Sequence, residues 1–138
     1  MRTFLAVLVG LVVGNIVNMG LITVGPSIIA PPEGVDPTDI ESIKANLHLY
    51  GPKHWVMPWL AHALGTLAGA FVAVRIAVRN RAIAAYVIAA LFLLGGIAMA
   101  VMLDAPLWFE AVDLIGAYLP MAWLATKLGG GAEPADEG

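Results

Sequence analysis

What most constrains this chain is where it carries no charge. No Asp, Glu, Lys or Arg occurs from Thr3 to Gly25, or from Ala82 to Leu103. At the rise of an α-helix, about 20 predominantly apolar residues match the hydrocarbon thickness of a bilayer. The composition agrees, with 60% hydrophobic and 12% charged residues and a mean hydropathy of +0.87. A soluble domain carries about 25% charged residues. The 138 residues are therefore read as one integral membrane domain.

Four spans are predicted, at about residues 3–24, 55–78, 82–103 and 112–128, with a loop over 25–54. Gly25-Pro26 is expected to stop the first. All four are read as helices, because an open sheet leaves backbone groups unsatisfied in lipid. The fold class is all-α, an integral membrane four-helix bundle over residues 1–128. The first run follows Arg2 and outlasts the apolar core of a signal peptide, so it is expected to remain as a span. The segment 129–138, "GGGAEPADEG", is Gly-rich and then acidic, and is expected to be disordered.

Orientation follows from the basic residues. Arg2, Arg75, Arg79, Arg81 and Lys127 all fall on one side of a chain that crosses four times. The other side holds Glu33, Asp36, Asp39, Glu41, Asp104, Glu110 and Asp113, against Lys44 and Lys53. The positive-inside rule then puts both termini in the cytoplasm. In the outer loop, Asp36 with Pro37, or Thr38 with Glu41, can start a helix. Ile40, Ile43, Leu47 and Tyr50 recur at helical spacing, predicting a short amphipathic helix on the outer face.

Small residues mark packing faces. Gly10-x-x-x-Gly14 on span one and Gly65-x-x-x-Gly69 on span two let helix backbones approach closely. Packing within the bundle is the simpler use of these faces, and homo-oligomerisation the other.

Polar residues inside spans are costly and so become site candidates. Asn15 and Asn18 share a face of span one, either for an interhelical hydrogen bond or for a polar ligand. "HWVMPWLAH" places Trp55, Trp59 and His62 on one stripe of span two. Trp55, Trp59 and Trp108 are read as interface anchors. His54 and His62 lie about 12 Å apart along a helix, too far to share one metal ion. His62 lies deeper, and Glu110 and Asp113, three apart at the same end of span four, are its natural partners. Tyr118 and Tyr50 can join them. Asn15, Asn18, His62, Glu110 and Asp113 make up the candidate polar cluster, as a structural clamp or as a pocket.

Other chemistry lacks a motif. Without cysteine there is no thiol redox centre or disulfide, and neither lipoprotein anchoring nor prenylation is expected. Neither serine sits in G-x-S-x-G, and no metal-ligand spacing or nucleotide loop occurs. No cofactor or metal is expected, and no basic patch points to nucleic acid. The partners expected are the lipid bilayer and either a second copy or a larger membrane complex.

The stretches "GNIVNMG", "PPEGVD", "PKHWVMPWLAHALGTLAGA" and "WFEAVDLIGAYLPMAWL" together resemble a group of small four-span bacterial inner-membrane proteins without a known activity. The resemblance covers nearly the whole chain except the tail, and implies a bacterial inner membrane. The pattern departs from the small multidrug transporters, which carry a glutamate in span one, and from the fluoride channels with their Phe-rich motifs.

The leading functional reading is a non-enzymatic interaction or accessory module that binds a lipid headgroup or small ligand at its outer polar cluster. A small transporter or channel, with a polar path along spans one, two and four, is the alternative. A membrane enzyme using His62 with Asp113 or Glu110 on a lipophilic substrate is the third.

Overall fold

Long apolar runs dominate the structure as they dominate the sequence. A computed structural model describes residues 2–130, and among these the ordered elements are all helical. They are α1 (Arg2–Ile28), α2 (Ile40–Ala45), α3 (Val56–Ile76), α4 (Arg81–Leu103), α5 (Leu107–Gly116) and α6 (Leu119–Gly129). Four helical segments are long and apolar enough to cross a membrane: Arg2–Ile28, Pro52–Ile76, Arg81–Leu103 and Leu107–Gly129. The protein thus has the architecture of a multi-pass membrane protein. Of the tail expected to be disordered, all but Gly129 and Gly130 lies outside the described residues.

Helix α1 does not stop at Gly25-Pro26 but runs on to Ile28. Pro26 sits in its last turn, where a missing N–H removes only one helical hydrogen bond. The Ile29 amide still donates to the Gly25 carbonyl at 2.8 Å.

Helix α3 is central and packs against α1, α4 and α6. Its contact with α1 is made through the two glycine pairs. A methyl group at Gly10 would sit 2.5 Å from the Gly69 carbonyl oxygen, and one at Gly14 would sit 2.8 Å from that of Gly65. The GxxxG faces of spans one and two are therefore spent on each other. Towards the end of the helices that carries the arginines, Ala6, Ala70, Ala73, Val74 and Ile88 are fully buried and leave no space between the helices. There the Arg81 guanidinium donates to the Ala77 and Gly130 carbonyls at 3.0 and 3.3 Å, tying the α3–α4 turn to the end of α6.

The opposite, loop-bearing end is built differently. The helix expected after residue 36 is six residues long and starts at Asp39, whose carboxylate accepts from the Glu41 amide at 3.0 Å. Neither start expected from the sequence is used. Asp36 instead accepts from the Thr38 amide and hydroxyl at 2.8 and 2.7 Å. These bonds hold its carboxyl below the usual aspartate range. Asn46 ends α2, and two single 3-10 turns, Leu47–Leu49 and Pro52–Trp55, lead into α3.

The last span is broken. It begins at Leu107, ahead of Val112, and is interrupted at Ala117 and Tyr118. Pro120 causes the break, since in a continuous helix its ring would collide with the Gly116 carbonyl. At Tyr118 the chain leaves helical geometry (φ −120°, ψ −77°) and restarts as α6, with proline in the first turn, where it is tolerated.

Candidate functional site

The site begins with His62 on α3. Its Nδ1 lies 2.8 Å from Asp113 Oδ1 and 3.0 Å from Oδ2. A carboxylate accepts, so Nδ1 carries the hydrogen. From the break in span four, the Tyr118 hydroxyl donates to Asp113 Oδ2 at 3.0 Å. Asp113 is 4% exposed and Tyr118 1% exposed, so their hydrogen bonds are made away from solvent. The buried Thr66 hydroxyl donates to the His62 carbonyl at 2.8 Å, closing a turn of α3 under the histidine. His62 and Tyr118 also stack, with ring centroids 5.9 Å apart.

This geometry depends on the break. Asp113 ends its turn of α5, and the irregular Tyr118 brings its ring back towards the carboxylate five residues earlier. Gly96 on α4 makes the space, because a methyl there would collide with the Tyr118 phenol. Neither Gly96 nor Thr66 was marked by spacing or charge. The Gly95-Gly96 pair, within the small-residue face of "AIAAYVIAALFLLGGIAMA", was the only sign in the sequence.

Two cavities meet at His62. The larger, about 320 Å³, lies under the loop between the ends of α1, α3, α4 and α5. Its wall is mostly apolar and aromatic, including Tyr50, Trp55, Met57 and Phe109, with Glu110, Asp113, His54 and His62 as its ionisable groups. The smaller, about 210 Å³, lies between α1 and α4 and is lined by Asn15, Asn18, His62, Gly96 and Tyr118 among others. His62, Gly96 and Met99 line both. Neither cavity is lined by the packed alanines and valines of the arginine end.

The predicted site residues separate accordingly. His62 meets Asp113 and not Glu110. Glu110 is half-buried in the wall of the larger cavity, and its carboxylate has no hydrogen bond or ion pair among the described residues. Asn15 is exposed and donates to the Leu11 carbonyl of its own helix at 3.0 Å. The interhelical bond expected of the asparagines is not formed. Asn18 packs its Cβ beside Gly65, and its Oδ1 is buried without a partner. His54 Nδ1 accepts from the Gly51 amide at 2.9 Å, so it is fixed by its own turn.

The three tryptophans expected as anchors are not alike. Trp108 faces outward at 49% exposure. Trp55 does not, because the 3-10 turn before α3 points it inward, onto Phe109 (centroids 4.5 Å) and Tyr50 (5.6 Å). Trp59 packs beside Gly116 and Tyr118. The indole nitrogens of Trp55 and Trp59 are both buried without a partner.

Chemically, Tyr118, Asp113 and His62 form an ordered chain that ends on His62 Nε2. That nitrogen has no hydrogen bond among the described residues, and its ring borders both cavities. It can accept a hydrogen bond when neutral and donate one when protonated. Among the described residues no three His, Asp or Glu groups gather as a metal site. No protein-family model matches the chain, and no curated protein or solved structure is significantly similar to it.

Proposed function

We propose that this is a small, multi-pass inner-membrane protein with both termini in the cytoplasm, acting as a non-enzymatic module that binds an amphiphilic small molecule or lipid headgroup in its outer half. The clustering of Arg2, Arg75, Arg79, Arg81 and Lys127 at one end of the helices supports the orientation. The resemblance to small four-span bacterial proteins supports the compartment. The observation that carries the binding reading is the cavity of about 320 Å³ ending on the His62–Asp113 pair. Apolar walls with a few convergent polar groups, at this volume, are the usual form of a small-molecule site. The smaller cavity, between α1 and α4, offers a second approach to the same polar end.

The test is tryptophan fluorescence of the protein in phosphatidylcholine nanodiscs, titrated with a bromine-tipped alkyl amphiphile. Saturable quenching is expected, and Ala100→Phe, which projects a ring from the cavity wall, should abolish it while leaving thermal unfolding unchanged. Quenching that never saturates and is identical in both proteins would mean simple partitioning into lipid, and the reading would fall.

A second reading draws on the Tyr118–Asp113–His62 chain, whose order suits a general base acting on a lipophilic substrate. His62→Gln separates the two, since binding would persist and turnover would be lost.

A further inference from the structure

Resting on the reading of the larger cavity as an amphiphile site, we infer that its ligand is an organic cation with an apolar tail, whose charge is held at Glu110. The argument is one of charge in a confined apolar space. Besides the Tyr50 phenol, the ionisable side chains in the wall are two carboxylates and two histidines; no Lys or Arg lines it. Asp113 is matched by His62 Nδ1 and the Tyr118 hydroxyl. Glu110, one turn earlier on the same face of α5, is matched by nothing among the described residues. A half-buried carboxylate without a counter-charge is costly where water is scarce, and a bound cation removes that cost.

The aromatic wall suits the same ligand. Tyr50, Trp55 and Phe109 form a connected group beside Glu110, and their faces attract a cation that sheds part of its water. An inorganic ion would waste this wall, whose surface is mainly apolar. An anionic ligand would meet two carboxylates.

The experiment uses one bromine-tipped decyl chain carrying trimethylammonium, hydroxyl or carboxylate, titrated into the full-length protein in phosphatidylcholine nanodiscs. The cation is expected to bind about tenfold more tightly than the alcohol, an effect of the size one partly screened charge pair gives. The carboxylate should bind most weakly. Glu110→Gln should erase the preference for the cation over the alcohol. An alcohol that binds as tightly as the cation, or a preference that survives Glu110→Gln, would overturn the charge assignment and leave the amphiphile site standing. If none of the three quenches saturably, the amphiphile site itself fails.

Discussion

The two ends of this molecule solve opposite problems with the same four helices. At the arginine end, α1, α3, α4 and α6 meet through glycine and alanine, and the interior is filled by residues such as Ala73, Val74 and Ile88 at no exposure. At the loop end, large rings and a broken helix keep α1, α4 and α5 apart, and a cavity of about 320 Å³ remains. Between helices in lipid, close packing rather than hydrophobicity supplies association energy. The tight end therefore supplies the cohesion that lets the other end stay open. Stability and binding should thus respond to mutation separately, according to which end is touched.

The sharpest way to break the comparison is Gly69→Leu. A Cβ alone would lie 2.6 Å from the Gly10 carbonyl oxygen and 3.2 Å from Gly14 Cα, and backbone cannot step aside. Overpacking of this kind costs about 3 kcal/mol, and thermal unfolding in detergent should show a large loss. The same assay on Ala100→Phe, in the open end, should show almost none. Equal losses would mean that the cavity is as structural as the glycine contact.

Next in size is the polar chain. His62→Ala leaves the buried Asp113 with Tyr118 as its only partner, at a cost of about 2 kcal/mol. Tyr118→Phe keeps the His62 contact and should cost about 1 kcal/mol. Thermal unfolding of the two variants and their double mutant measures this. Perfect additivity would show that histidine and phenol do not act through one carboxylate.

The smallest effect belongs to the loop. Asp36 titrates below its ordinary value because Thr38 donates two hydrogen bonds to it. A depressed carboxylate contributes above its unfolded value and ceases to contribute as pH falls through the folded one. Asp36→Asn should therefore speed amide exchange around Thr38 near neutral pH without moving global unfolding. The difference from the unmodified protein should start to shrink as pH falls through the ordinary aspartate value of about 4, and be lost only below the depressed folded value. A shift in global unfolding would show that the loop is part of the cohesive end.

Much of the tight end was legible in the sequence. Charge-free runs imply spans whatever their neighbours, and glycines four apart imply close approach. The pairing of His62 with an acid on span four was legible too, because depth along each helix can be counted from the interface. The open end was less so. Pro120 was visible in the sequence, but its effect on Tyr118 depends on Gly96 of another helix. Trp55 reads as a surface anchor only while α3 is extended back as a regular helix, and the 3-10 turn at Pro52–Trp55 rotates it inward. The cavity is a property of what the loop covers, which no local pattern encodes.

The glycine contact has a mechanical corollary. Side chains that touch through rotamers can slide and refill, whereas a carbonyl resting on a neighbouring backbone has no such freedom. Helices α1 and α3 are thus held in one register by the Gly10–Gly69 and Gly14–Gly65 contacts. The cavity between α1 and α4, lined by Asn15, Asn18 and His62 among others, lies beside that fixed pair. A change in its width would therefore have to come from α4, the wall that no such contact holds to α1.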